Sequence, residues 1–450
     1  MVTGQQPGLL TGPLYTIYKS LSAIYYAKKF SNENLTLVPL FWNASEDHDI
    51  NEVNSITILT KDKELKTFKI DMENVKGKSI ERIKLKETNI KEVLEEIINT
   101  LPVTDFTEYV FKDVVASELS KSTYWSEFFS RLLTNLLGHW GLIIIEPYIL
   151  RPYLVEFFVE LLDNPIYYNR IFLDTTERLQ SLGYTPKLHK KEKIVGLFYI
   201  DENGKRNKIT LNSNNEYLFD NGMTLTKDEI KELAYKHPER FSTNAIFRPL
   251  AQDKMIPTFI YAGGPSEIGY HIQITKLYPA LGVTQPNLIL RMGATIVERH
   301  IDKVLQKYSI EILKLQEINA VIRKLLKEKH KKKLDPYVEK ILTTFDSLKN
   351  ELGNLSKELE TRAEYKKQQI QKVLASIEEM YIDYLKKENK LLVSKLRKAS
   401  ENIFPLGSLQ ERVFNVFQYL NKYSFCFLDC VKQVFEQYKP GSHVVIKCWT

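Results

Sequence analysis

Val2-Thr3-Gly4-Gln5-Gln6-Pro7-Gly8-Leu9-Leu10-Thr11-Gly12-Pro13-Leu14-Tyr15-Thr16-Ile17-Tyr18-Lys19 is a glycine-punctuated loop running straight into a helix. Gly4, Gly8 and Gly12 let the backbone turn sharply or approach a ligand without a Cβ in the way. Pro13 suits the first helical position, where its missing N–H costs nothing, which makes Gly12 the N-cap. The free N–H groups of the first turn then face whatever fills the loop, and such a helix start attracts carboxylates and phosphates. Thr11, Tyr15 and Lys19 add polar ends, and Tyr15 and Lys19, four apart, share a helical face. An ordinary strand-to-helix turn would account for the glycines alone. Together with Gln5, Gln6 and the proline-opened helix they point to a small-molecule site.

Working outward, apolar runs recur between amphipathic stretches. Residues 35–42, 141–147, 256–264 and 287–291 each read as a buried strand, with Pro39 a mild objection in the first. Apolar strands separated by helices predict an α/β fold with a parallel sheet covered on both faces. Two stretches read as small, partly β insertions packed over the sheet's edge, near 55–140 and 185–240. The first opens with the alternating Ser55-Ile56-Thr57-Ile58-Leu59-Thr60. The second is a hairpin, Ile194–Ile200 and Ile209–Leu211, joined by a turn containing Asn203-Gly204.

After residue 300 the period changes. Ile301, Leu305, Tyr308, Ile312 and Leu315 recur at spacings of four and three, and Ile318, Ile322 and Leu325 continue them after a slip. The spacing resumes at Phe345, Leu348, Leu352, Leu355 and Leu359, then at Ile370, Val373, Ile377, Met380 and Tyr384. A 3.5-residue period between charged flanks is a coiled-coil signature. The break at Lys327–Pro336 predicts a first helix turning back on a longer second one, an antiparallel arm suited to homodimerisation. The expected organisation is a core over 1–300, the arm over 301–400, and a segment over 401–450 that packs back on the core.

Composition bounds the rest. The chain has 450 residues, 43% hydrophobic and 26% charged, enough for two or three domains with sizeable cores. No apolar run approaches the roughly 18–20 residues that cross a membrane. The start lacks a basic region followed by a continuous apolar core, so it does not read as a signal peptide. Cys426, Cys430 and Cys448 cannot build a disulfide framework; they read as buried thiols and suit a cytoplasmic location. The net charge of +7 is modest, and the Lys327–Lys333 run lacks interleaved aromatics, so neither nucleic acid nor membrane is an expected partner.

The chemistry-bearing residues lie where strands end. Asn43-Ala44-Ser45-Glu46-Asp47-His48-Asp49 follows the second apolar run, at the carboxyl edge where open α/β sheets bind ligands. A helix cap with acids in its first turn would explain Ser45 or Asp47 singly. The density of Glu46, Asp47 and Asp49 around His48 favours a cationic amine, a magnesium ion or a tuned acid/base pair. Tyr261-Ala262-Gly263-Gly264-Pro265-Ser266-Glu267-Ile268-Gly269-Tyr270-His271 repeats the grammar of the first loop, with Glu267, Tyr270 and His271 on one helical face. Gly263, Gly264 and Ser266 would face a ligand there. Arg248 stands ready to clamp a carboxylate or phosphate, with an ion pair to Asp253 as the alternative. No dinucleotide or P-loop pattern occurs.

Through these segments, together with Val38-Pro39-Leu40-Phe41-Trp42 and Arg248-Pro249-Leu250, the chain resembles the BshC family of bacillithiol biosynthesis, the cysteine-adding enzymes. The resemblance covers nearly the whole chain. It implies a Rossmann-like core related to class I aminoacyl-tRNA synthetases, with inserted subdomains and a dimerising helical arm. It also implies a ligase that joins cysteine to glucosaminyl-malate through an amide, the last step of the pathway. ATP is the implied cofactor, inferred from the reaction because the lysine-rich loop of the synthetases is not recognisable; Arg291-Met292-Gly293-Ala294 is a poor match. Mg2+ is a further expected ion, with no protein metal site. On this reading Lys19 and Arg248 offset phosphate charge, Glu267 or Asp47 holds the cysteine ammonium, and His48 or His271 takes a proton from the attacking amine. Family members carry a further segment ahead of the Thr-Gly-Gln-Gln motif, which makes an incomplete first core strand the expectation here. The alternatives are a tRNA-directed or other nucleotidyl-transfer enzyme and a non-catalytic coiled-coil scaffold.

Overall fold

The opening residues Val2–Gln5 form a strand, not only a loop, and it is the middle strand of the central sheet. The computed structural model describes residues 1–189, 193–330 and 334–448, with the side chains of His330 and Cys448 outside that description. The sheet has five strands: Val2–Gln5, Leu40–Asn43, Ile143–Ile145, Ile260–Gly263 and Asn287–Leu290. Numbered along the chain, their order across the sheet is 5-4-1-2-3, and every pairing is parallel. This is the Rossmann-like arrangement, with its switch point between the first and fourth strands. Each strand is shorter than the apolar run that predicts it. Pro39, which cannot donate to a ladder, keeps the second strand from starting before Leu40. Ile143, half exposed at 50%, marks the third as an edge rather than a buried strand.

Gly4 is fixed by sheet packing, since a Cβ there would lie 2.7 Å from the Trp42 carbonyl oxygen. The helix after the first strand runs from Leu14 to Phe30, with Pro13 in extended conformation as its N-cap, one residue later than expected. Its apolar residues are buried around most of its circumference, as befits a helix inside a core. Leu10, Thr11 and Gly12 adopt positive φ (47°, 69° and 74°), a strained turn held from outside. Asn415 holds it: its Nδ2 donates to the carbonyls of Leu10 (2.8 Å) and Gly12 (2.7 Å). Leu14 N–H also donates to the Phe414 carbonyl at 2.8 Å.

The chain divides into two units. Met1–Ile296 with Leu409–Ile446 form one, and Val297–Ser408 the body of the other. The return to the core therefore starts at Leu409, because residues 401–408 lie with the helical unit that the Lys390–Ile403 helix completes. The first inserted hairpin, Ser55–Leu59 with Leu65–Lys69, lies against that returning segment, where Leu59 N–H donates to Gln418 Oε1 at 2.9 Å. The second insertion is larger than a hairpin. Ile194–Ile200 and Arg206–Leu211 pair antiparallel inside a five-stranded sheet with Tyr217–Phe219, Thr224–Leu225 and Phe241–Thr243.

In the helical unit, Ile301, Leu305 and Leu315 are buried together, and Ile322 is buried with Leu326, Ile382 and Leu385. Ser309, at φ 50°, ends the first helix, and the long hairpin is Asp335–Leu355 against Lys357–Glu388. The reversal at Ser356 is a second one that the spacing does not reveal; Asp346–Lys367 (2.5 Å) and Lys349–Glu364 (2.8 Å) pair across it in antiparallel register. The phase of the last predicted seam is off by one residue. Ala363 and Leu374 are buried, while Val373, Ile377, Met380 and Tyr384 are exposed, as are Leu348, Leu355 and Leu359. In the basic run Lys327 pairs with Glu378 at 2.8 Å, and residues 331–333 lie outside the described residues. Cys426 is exposed and Cys430 half-buried, neither in a disulfide, so Cys426 is not the buried thiol expected.

Asn415→Ala should strip the Leu10–Gly12 turn of its donors and lower unfolding free energy by about 1–3 kcal/mol. Chemical denaturation measures this; an unchanged midpoint would mean that the turn holds itself.

Candidate active site

The carboxyl ends of the first, second and fourth core strands open into one cavity of about 740 Å³. Gln5, Gln6, Tyr15, Lys19, Glu46, Asp47, His48, Arg248, Gly264, Ser266, Glu267 and Tyr270 all line it. Segments more than 200 residues apart thus meet at the switch point.

Lys19 and Glu267 form its floor. Their charges meet at 2.7 Å, with Lys19 only 3% exposed, and Lys19 Nζ also donates to the Gly4 carbonyl and Gln5 Oε1, each at 2.8 Å. Glu267 reaches back to the Gly264 N–H (2.7 Å) and accepts from the Tyr261 hydroxyl (3.0 Å). Burial lowers the Lys19 pKa against the pull of Glu267. Burial acts upward on Glu267, but Lys19 and the Gly264 amide outweigh it and hold the carboxyl below its ordinary value. The two groups neutralise each other, so neither is free to meet a ligand charge alone. Gln5 Nε2 donates to the Tyr15 hydroxyl at 3.1 Å. Burial, with Glu267 and Glu52 nearby, pushes the Tyr15 phenol up to about 12.

The loop after the second strand is braced from below by Ile80 and Glu81, whose N–H groups donate to the Asp47 and Ser45 carbonyls at 2.8 and 3.0 Å. Glu46 faces inward to Arg151, a wholly buried guanidinium shared with Glu81 at 2.7 Å, and is therefore a structural partner. Asp47 accepts from Gln6 Nε2 (2.7 Å) and from the His48 N–H (2.7 Å), and Arg206 stands 3.6 Å away. Burial would raise the Asp47 pKa, but His48, Arg206 and Gln6 hold it well below the carboxylate range. His48, 43% exposed, presents its ring to the cavity beside Phe198.

Arg248 donates to the Tyr270 hydroxyl at 2.7 Å and does not pair with Asp253, which takes the hydroxyl of Tyr278 instead (2.7 Å). Among the described residues Arg248 makes no ion pair, and its guanidinium faces the cavity. Four expected site residues stand apart from this hollow. Thr11 and Gly12 are locked in the Asn415 turn, Asp49 caps the Asn51 N–H at the surface, and Gly263 is a packing position where a Cβ would lie 3.1 Å from Glu267 Cβ. His271 is also withdrawn: fully buried between Tyr261 (4.8 Å) and Tyr270 (4.9 Å), it has no hydrogen-bond partner on either ring nitrogen among the described residues. Burial, then the Arg248 charge, lowers its pKa to about 3. A stacking role replaces the proton transfer expected of it.

Arg206, Lys208 and Arg412 line the cavity without having been singled out in the sequence, and Arg291 joins them from the stretch that matches the synthetase loop poorly. Arg206 comes from the inserted sheet and stacks on Phe198 at 3.9 Å. Arg291 pairs with Glu411 at 2.5 Å, and Arg412 arrives from the returning C-terminal segment. The hairpin signal found the strand of Arg206 and Lys208 only at its end, Ile209–Leu211, and no spacing ties residue 206 or 412 to residue 47. Among the described residues, no cluster of three or more His, Cys, Asp or Glu could hold a metal ion. No helix of the described residues is long and apolar enough to cross a membrane.

Asp47 gives a pH test. Its folded pKa lies below its unfolded value, about 3.9, so its stabilisation is complete above that value and is lost as pH falls through the folded one. Asp47→Asn should flatten the loss of stability between about pH 5 and pH 2. Identical acid limbs in the two proteins would refute the Gln6–His48–Arg206 clasp.

Residues 1–292 match the family described as "Bacillithiol biosynthesis BshC, N-terminal Rossmann-like domain". Residues 294–448 match "Bacillithiol biosynthesis BshC, C-terminal coiled-coil domain". A relative from Bacillus cereus (strain AH187), named "Putative cysteine ligase BshC", is 31% identical over 99% of this chain and 84% of its own length. Another of that name from Heliobacterium modesticaldum is 30% identical over 100% of this chain and 83% of its own. With these two models matching residues 1–292 and 294–448 in turn, the chain belongs to the BshC family of bacillithiol biosynthesis.

Proposed function

We propose that this cavity joins the carboxyl group of cysteine to the amine of glucosaminyl-malate, with ATP activating the carboxyl group. The observation that carries the reading is Arg248, a half-buried guanidinium held by Tyr270 at the cavity lining with no ion-pair partner among the described residues. Such a charge gives up part of its hydration, and a ligand anion would replace what it loses. A phosphate chain or a malate carboxylate fits that donor set. ATP supplies the leaving group that makes amide formation downhill. Mg2+ accompanies the phosphates, held by them rather than by a protein cluster.

The chain's own residues do the rest. Asp47, ionised at neutral pH and partly open to solvent, holds the cysteine ammonium beside Glu52. His48 takes the proton that the attacking amine must lose. The Lys19–Glu267 pair fixes the facing ends of the first and fourth strands, so that positioning supplies much of the acceleration. ATP and reduced cysteine coexist in the cytoplasm, where this reaction belongs.

The arm brings two copies together. Val373, Ile377, Met380 and Tyr384 form an exposed apolar stripe at coiled-coil spacing, continued on the facing helix by Ile341 and Leu348. A second copy covers it, and Ile377→Lys with Met380→Lys should convert a dimer to a monomer by light scattering. A wild-type monomer would refute this.

Purified protein given ATP, cysteine and glucosaminyl-malate should form the amide, seen by mass spectrometry. Arg248→Gln should lower turnover by about a hundredfold at an unchanged melting temperature. No amide from the wild type, or equal turnover in the variant, would overturn the reading.

A further inference from the structure

We propose that the inner face of the inserted sheet is an anion subsite of the cavity, and that Lys208 is its receptor for an oligoanionic ligand group, a phosphate chain or a dicarboxylate. This rests on the ligase reading for which ligands are present, though not for the charge itself. Arg206 and Lys208 lie two apart on one strand, so their side chains project from the same face, and both line the cavity. Their situations differ. The Arg206 guanidinium is fully engaged by Ser242 Oγ (3.1 Å), the Thr243 carbonyl (2.6 Å), Asp47 (3.6 Å) and the Phe198 ring (3.9 Å). Lys208 is half-buried, and among the described residues its ammonium has neither an ion pair nor a hydrogen bond.

The balance of charge around the hollow singles this group out. Lys19 is answered by Glu267, Arg206 by Asp47 and Arg291 by Glu411. Glu46 is answered from behind by Arg151. Among the described residues that line the cavity, Arg248, Lys208 and Arg412 then stand against one remaining carboxylate, Glu52. Arg412 is exposed and keeps its hydration. Arg248 is held by Tyr270 at the fourth-strand side. Lys208, on the inserted sheet, gives up part of its hydration with no ion pair or hydrogen bond to its ammonium among the described residues to replace it. The Arg291-Met292-Gly293-Ala294 stretch does not supply this cation, because Arg291 is committed to Glu411.

The wall is shaped for access. Lys208 stands opposite Phe198 in the ladder, next to a register shift between Ile194 and Phe198 where Gly196 takes φ 98°. Bulges of this kind re-aim side chains beside sites. Here the shift leaves Gly196, with no side chain, lining the cavity beside Phe198. A flexible ammonium across from a flat ring and a glycine can follow an anion of variable shape, which a fixed guanidinium cannot.

The test is calorimetric titration of the full chain, as wild type, Lys208→Met and Lys208→Arg, with tripolyphosphate, ATP, glucosaminyl-malate and cysteine. Lys208→Met should weaken at least one anionic ligand by about ten- to a hundredfold. Lys208→Arg should recover most of that, and the melting temperature and cysteine binding should stay as in the wild type. Loss confined to tripolyphosphate and ATP identifies a phosphate subsite, and loss confined to glucosaminyl-malate a carboxylate subsite. Unchanged binding of all three anions, or equal weakening of cysteine, would overturn the proposal. Amide formation measured separately on the wild type distinguishes failure of the ligase reading, since tripolyphosphate binding does not depend on it.

Discussion

A buried ammonium that must find a carboxylate governs this active-site architecture. Lys19 sits on the second turn of the first helix, 3% exposed, and without Glu267 it would be an uncompensated charge in a protein core. The pair forms only if the first and fourth strands are neighbours, which the 5-4-1-2-3 order provides. It also requires Gly4 to pass against Trp42, so that the first strand lies close enough for its carbonyl to accept from Lys19. Glycine, helix and charge pair are one constraint seen from three sides.

Around that pair the cavity satisfies most of its own charges and leaves Arg248 and Lys208 without an ion pair among the described residues. Carboxylates that read as ligand-binding from their density in the sequence turn out to be partly committed, Glu46 to Arg151 and Glu267 to Lys19. Cations that the sequence hides, on the inserted sheet and the returning C-terminal segment, supply the surplus. The insertion is therefore a wall of the site rather than an appendage. The returning segment both braces the opening turn through Asn415 and contributes Arg412 and Glu411.

The helical unit shows the same split between period and phase. Heptad spacing marks the region as coiled coil, and Ile301, Leu305 and Leu315 are buried as that spacing requires. Along Lys357–Glu388, however, Ala363 and Leu374 turn inward and Val373 and Ile377 outward. Two apolar stripes one residue apart satisfy one period, and only the facing helix, with Asp346 and Lys349 paired to Lys367 and Glu364, selects between them.

Much of the site was legible because glycine-rich strand ends and proline-opened helices are local signals. They fixed the fold class, the second inserted hairpin and the loops bearing Gln5, Asp47, Arg248 and Glu267. Residue type told nothing of Thr11 and Gly12 serving a braced turn, of His271 lying behind Tyr270, or of Arg206 clasping Asp47. Those outcomes depend on which segments become neighbours, and the partners are 150 or more residues apart in several cases. The sequence by itself determined the strands, helices and chemistry on offer, because backbone preference and apolar period act over a few residues. Only the tertiary structure decided which charges cancel and which face the cavity unpaired, because Coulomb and desolvation energies depend on distance and burial in space, not on separation along the chain.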